Sequence, residues 1–288
     1  QNYRSTGNIL RAANNVIAGN PKLFEKKLWS EFGDGDPVRL VECDGEEHEA
    51  ERAVAFIQSL RAQGGAIAEN AIIPMNLMGG RKVADYVVTG SWSQKSQKEA
   101  RKYADVNIAA SSEASGFTTV PAMDEWRISP DPAYVFTCTN ETIGGVEYPF
   151  EPDLAKLDRG EVPVVADMSS HILSRKIDIS KYGVIFAGAQ KNIGPAGLTL
   201  VIVREDLLGH ARSSCPTMLD YKVSADNGSM YNTPATYSWY LSGLVFEWLK
   251  EQGGVEAMEQ RNRAKKERLY GFIDRSEFYT NPISVNAR

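Results

Sequence analysis

The chain has 288 residues, 42% of them hydrophobic, and a formal net charge of −5. That length holds two domains, or one large α/β domain with an appendage, and the composition is that of a globular chain. The acidic balance excludes a global nucleic-acid footprint, and no apolar run approaches the roughly 20 residues of a membrane-spanning helix. No signal-peptide pattern opens the sequence. Cys43, Cys138 and Cys215 are far apart, odd in number and without CxxC spacing, so reduced thiols in a cytoplasmic protein are expected. His48, His171 and His210 show no metal-ligand spacing.

Residues 1–62 differ in character from the rest. Ile9, Leu10, Ala13, Val16 and Ile17 recur at helical spacing, Gly33-Asp34-Gly35-Asp36-Pro37 marks a turn, and 38–41 reads as a short strand. The stretch 46–60 reads as an amphipathic helix with its acids toward the start, as the helix dipole prefers. Ten acidic and eight basic residues rule out a basic arm. Gln1-Asn2-Tyr3-Arg4-Ser5, with Ile9-Leu10 and Ala12-Ala13-Asn14, resembles motif IV of superfamily 1 DNA helicases. The resemblance implies that Tyr3 and Arg4 descend from residues that touch ATP. The chain has no glycine-rich P-loop with Lys-Ser/Thr, so such an arginine has no phosphate cradle to act with.

From Gln63 onward the pattern changes. Gln63-Gly64-Gly65-Ala66 precedes a helical pattern starting near Ile67. Glycines ahead of a helix leave N–H groups free for an anion, although an ordinary helix-start turn fits the loop at least as well. Asp85-Tyr86-Val87-Val88-Thr89-Gly90-Ser91-Trp92-Ser93 takes a strand-like run into a glycine and a tryptophan. The run 133–137 leads to Asn140-Glu141-Thr142-Ile143. The apolar run 162–166 ends at Asp167, and the runs 182–187 and 198–203 flank a glycine-bounded loop that holds Lys191. An acid ending one strand and a lysine after the next, 24 residues on, is the arrangement a pyridoxal phosphate (PLP) enzyme needs. The lysine forms a Schiff base with the aldehyde, and the carboxylate keeps the ring nitrogen protonated. A snorkelling surface lysine and an N-capping aspartate are the alternatives.

These motifs, together with Ala166-Asp167-Met168-Ser169-Ser170, the loop Gly188-Ala189-Gln190-Lys191-Asn192-Ile193-Gly194-Pro195-Ala196-Gly197 and Tyr231-Asn232-Thr233-Pro234, resemble the phosphoserine aminotransferase family over residues 63–288. The resemblance implies a PLP-dependent transferase of fold type I: an α/β large domain with a mostly parallel sheet and helices on both faces. Its expected extent is 63–265, with 266–288 beginning a C-terminal small domain and 1–62 a small α/β segment ahead of it. Lys191 and Asp167 are the implied catalytic pair. The amides of Gly65 and Ala66 and the side chain of Gln190 are implied to hold the cofactor phosphate. Trp92 is implied to stack on the pyridine ring, a core tryptophan being the alternative. Thr142 is implied to bond the phenolic oxygen, and a turn-capping threonine is equally compatible. Asn232 and Thr233 are implied to reach the neighbouring subunit's phosphate, which makes a homodimer part of the site.

The implied reaction exchanges an amino group between phosphoserine plus 2-oxoglutarate and 3-phosphohydroxypyruvate plus glutamate, in serine and pyridoxine synthesis. The substrates are small molecules, phosphoserine, glutamate and 2-oxo acids, with no membrane or nucleic-acid partner. The sequence departs from the family pattern in three ways. Ile67-Ala68-Glu69-Asn70 stands where a small polar residue and Gln-Phe are usual, so Glu69 is expected to set a negative charge near the phosphate loop. Ala235 replaces a second proline. The family's Ser-His-Arg segment and small-domain arginines do not occur within these residues, which favours cofactor binding over turnover. A gene fusion, natural or artificial, and a fragment of a longer product both account for the mosaic. A fusion without turnover and a helicase-derived ATPase fragment remain as other function classes.

Overall fold

A computed structural model of the chain describes residues 65–288. The helix, turn and strand expectations for 1–62, its helicase-like reading, and the first two residues of the Gln63-Gly64-Gly65-Ala66 loop lie outside them.

In chain order the elements are α1 (Glu69–Leu77), β1 (Val83–Val88), α2 (Ser91–Ala100), β2 (Asp105–Ser111), β3 (Pro132–Cys138), β4 (Asn140–Glu141), β5 (Val146–Glu147), β6 (Val164–Asp167), β7 (Val184–Gly188), β8 (Thr199–Val203), α3 (Tyr221–Asp226), α4 (Thr236–Glu251) and α5 (Gly254–Ile273). Six strands form one sheet in the order β2-β1-β3-β6-β7-β8, and β4 and β5 make a two-stranded hairpin. The pairs β1/β2, β1/β3, β3/β6 and β6/β7 are parallel, and the edge strand β8 runs antiparallel to β7. Every residue of β3 is buried, the signature of a central parallel strand covered on both faces. The expected runs 162–166 and 182–187 are β6 and β7, each displaced by one or two residues.

Side chains alternate between two cores, as the two-residue strand period requires. Tyr86, Val88, Phe136 and Phe186 face one core, where Ile72, Ile73 and Leu77 of α1, Ala100 of α2 and Tyr221 cover them. Val87, Val135, Ala166, Ile185 and Ala187 face the other, under Trp126, Tyr148, Leu154, Ile172 and Ile193. Irregular segments therefore form the layer on this second face. Both α4 and α5 rest on that layer: Ser238 Oγ donates to Ala196 O (2.9 Å), and Asn262 Nδ2 donates to Ser174 O (2.9 Å). Beyond α5 the chain turns back. Ile283 and Ala287 pack with Val146, Ser284 N donates to Thr118 O (2.9 Å), and Arg288 holds Asp274 at 2.7 Å. The boundary expected between residues 265 and 266 falls inside α5, whose helix continues to Ile273. No helix of the described residues is long and apolar enough to cross a membrane.

Candidate active site

The parallel strands deliver one residue set to their C-terminal edge. Connections after β1 and after β3 leave in opposite directions, β1 toward β2 and β3 toward β6, so the crevice between them is the switch point of the sheet. In open α/β sheets ligands bind at such a point. Trp92 follows β1 at the first turn of α2, Thr142 follows β3 in the turn of the β4–β5 hairpin, Asp167 ends β6, and Lys191 lies on the loop after β7.

These groups touch. Thr142 Oγ1 accepts from the indole Nε1 of Trp92 at 3.0 Å and from Lys191 Nζ at 3.4 Å. Lys191 Nζ is 5.9 Å from the centre of the Trp92 ring, and Lys95 Nζ, one turn along α2, is 4.3 Å from it. Asp167 accepts from Ser169 N at 2.9 Å, while Ser169 Oγ accepts from Gly188 N at 3.1 Å, which ties the acid's strand to the lysine's. Gly65 caps the short turn Ala66–Ala68 ahead of α1. This turn lies against the end of β7: a Cβ placed on Gly188 would come within 2.9 Å of Ala66 Cβ and would collide with the Gln190 amide. The absence of a side chain at Gly188 thus brings Gly65-Ala66, Gln190 and Lys191 to one place. The N–H groups of Gly65 and Ala66 have no hydrogen-bond partner among the described residues.

Residues 50–288 match the aminotransferase class-V family. The chain belongs to the class-V aminotransferases. Residues 1–76 match the UvrD-like helicase C-terminal domain. The phosphoserine aminotransferase of Pseudomonas putida is 67% identical over 226 residues, which are 78% of this chain and 61% of that protein. The chain therefore spans about 61% of the length of the curated relatives it matches. A solved phosphoserine aminotransferase from Bacillus circulans subsp. alkalophilus superimposes with a TM-score of 0.75 at 44% identity, covering 78% of this chain and 62% of that one. The PLP-bound enzyme of Trichomonas vaginalis gives 0.72 at 39% identity over 78% of this chain and 66% of its own.

The structure corrects one sequence expectation about the candidate site. Glu69 does not face the loop of Gly65 and Ala66. Its carboxylate is buried and accepts from Tyr221 Oη at 2.6 Å, and burial pushes its pKa up to about 7 against that hydrogen bond. The pKa of Asp167 is raised from the ordinary carboxylate value. Burial is the main cause, opposed by the Ser169 hydrogen bonds and the charge of Lys191. Asn232 and Thr233 are exposed on the segment leading into α4.

Sequence reasoning passed over four residues of the site: Ser169, Gly188, Lys95 and above all Glu141, which is fully buried beside the first turn of α2. Ser169, Gly188 and Glu141 lie inside the quoted motifs, which is the only hint of them, and Lys95 lies two residues beyond one. His171, given no role from the sequence, is buried with Nδ1 2.8 Å from Thr139 Oγ1. Burial, helped by the charge of Arg175, lowers its pKa to about 3, so the ring is neutral.

Proposed function

We propose that this chain binds pyridoxal 5'-phosphate at the C-terminal edge of its sheet. We further propose that the protein it represents is a phosphoserine aminotransferase, moving an amino group between phosphoserine plus 2-oxoglutarate and 3-phosphohydroxypyruvate plus glutamate. The observation that carries the reading is the convergence of Lys191, Thr142 and Trp92 at one switch point, with a desolvated Asp167 on the adjoining strand. The residues suit the group. Unpartnered N–H groups at Gly65 and Ala66, with Gln190 beside them, offer donors to a phosphate. A buried carboxyl whose pKa is raised lacks a strong cationic partner, and a protonated ring nitrogen is such a partner.

When bound, the cofactor supplies an electron-poor ring that stabilises negative charge at the substrate carbon. The chain supplies the rest. Lys191 Nζ holds the cofactor and then carries a proton to and from the reacting carbon. Asp167 keeps a proton on the ring nitrogen opposite it. Trp92 shields one face from water, and Thr142 Oγ1 orients the lysine and the indole together. Asn232 and Thr233 of a second copy complete the phosphate site in a homodimer. The exposed Tyr237, Tyr240, Leu244 and Trp248 on α4, next along the chain, support such pairing. The domain arrangement proposed is a helicase-like segment over 1–62 and a cofactor-binding unit from 63, with the following segment starting after Ile273 rather than at 266. Free thiols at Cys138 and Cys215 suit a cytoplasmic setting.

The test is direct. Purified chain mixed with PLP should gain a visible absorbance band that borohydride fixes, and peptide mapping should put the pyridoxyl group on Lys191. Fixation on another lysine overturns the site. Amino transfer from glutamate to 3-phosphohydroxypyruvate, absent in Lys191→Ala, then establishes the reaction.

A further inference from the structure

Glu141 has no place in the scheme above, yet its carboxylate is wholly buried at the switch point. Oε2 accepts from Trp92 N at 2.8 Å, and Oε1 accepts from Ser93 N at 2.8 Å and from Ser93 Oγ at 2.5 Å. These are first-turn N–H groups of α2, which have no partner inside the helix. The approach is close: a Cβ on Gly90 would lie 2.6 Å from Glu141 Cδ, so only glycine admits the carboxylate here. The next residue, Thr142, accepts from the Trp92 indole Nε1 at 3.0 Å. Two consecutive residues of the β3 connection thus hold Trp92 at both ends, backbone by Glu141 and ring by Thr142. With the peptide plane and the ring tip both fixed, the indole has little freedom left to tilt.

We infer that Glu141 is a positioning residue: by holding the first turn of α2 across the switch point, it sets the plane of the Trp92 ring against which a flat cofactor stacks. The inference deepens the proposed PLP site and rests on it for the cofactor, while the clamp on Trp92 exists without any ligand. Glutamine is the informative substitution, because its amide donors would face the donors of Trp92 and Ser93 at nearly constant shape.

The experiment uses the full chain labelled with 15N-tryptophan, with Trp92→Phe identifying the Trp92 indole signal. Glu141→Gln should shift or broaden that signal and leave Trp126 unmoved, since Trp126 Nε1 bonds Pro121 O (3.3 Å) in the opposite core. Glu141→Gln should also raise the PLP dissociation constant about tenfold and weaken the visible circular dichroism of bound PLP. In a Trp92→Ala background there is no ring to orient, so the same change should have little effect on affinity, whereas a general structural role would lower affinity equally in both. Ser93→Ala, which removes one of the three donors to Glu141 together with the bonds from Thr89 N and Gly90 N to Ser93 Oγ, should move the Trp92 signal in the same direction by less, and it decides the matter if Glu141→Gln does not fold. An unmoved Trp92 signal in the folded variants, or equal affinity losses with and without the ring, overturns the proposal. A shifted signal in a parent chain that does not bind PLP upholds the clamp and sinks the cofactor reading instead.

Discussion

A lysine at the rim and two desolvated carboxyls show how placement sets chemistry one residue at a time. Lys191 is exposed and reaches Thr142, whereas Asp167 and Glu69 are both desolvated and raised in pKa. In the proposed site Asp167 sits where a cation is to arrive. Among the described residues Glu69 meets only a tyrosine hydroxyl, so its burial is a cost that depends on pH. Its folded pKa of about 7 exceeds the ordinary 4.5, so the folded state holds the proton more tightly than the unfolded chain does. Stability from this group is therefore complete below the unfolded value and falls as pH rises through 4.5 to 7. Above that window the loss is roughly 3 kcal/mol at ~1.4 kcal/mol per pH unit. Glu69→Gln keeps an acceptor for Tyr221 without the charge. We expect it to match the parent near the acidic end of the window and to exceed it by up to roughly 3 kcal/mol at pH 8 in urea denaturation. An equal gain at both pH values would mean that packing, not ionisation, governs the site.

At the scale of elements, the site is an edge where strands end and small residues let their connections close in. Gly188 admits Ala66, Gly90 admits Glu141, and a Cβ on Gly194 would lie 2.7 Å from Ser242 Oγ, where α4 crosses the loop after Lys191. These approaches differ from an ordinary helical glycine such as Gly243, whose Cβ would meet nothing within 4 Å. Gly188→Ala should press the Ala66 turn away from β7, lowering stability by about 1–3 kcal/mol through overpacking and weakening PLP binding as well. Gly243→Ala should do the reverse, stabilising α4 by up to about 1 kcal/mol without touching affinity. Paired denaturation and PLP titrations distinguish the two. A neutral Gly188→Ala would show that the loop has slack and that the close approach is not needed.

For the whole molecule, α4 carries its large apolar side chains outward. Tyr237, Tyr240, Leu244 and Trp248 are exposed at helical spacing, while the residues it buries are Ser242 and Leu249. A helix that turns its apolar stripe to solvent has its partner outside the described fold. A second copy seated there would bring its own Asn232 and Thr233 to the interface. Lysine at both Tyr240 and Trp248 should convert a dimer into a monomer in sedimentation velocity and lower PLP affinity while preserving the helical signal. A chain that is monomeric before substitution, yet binds PLP fully, would remove the shared site.

Residues 65–288 were legible where their signals are local. Buried parallel strands are continuous apolar runs, so β6 and β7 announce themselves, and Asp167 and Lys191 are found by counting to the strand ends. Composition and charge were equally local in what they excluded. Tertiary structure alone decided contacts between distant segments. Glu141 meets Trp92 and Ser93 across 49 and 48 residues, and Glu69 meets Tyr221 across 152. Nothing near Glu69 in the chain tells whether it faces a phosphate loop or a buried tyrosine, because helix rotation is set by the whole core. The same holds for α4, where packing through Ser238 and Ser242 leaves Tyr237, Tyr240, Leu244 and Trp248 facing outward. A strand's burial follows from its own sequence, but a side chain's partner follows from which other elements the sheet brings beside it.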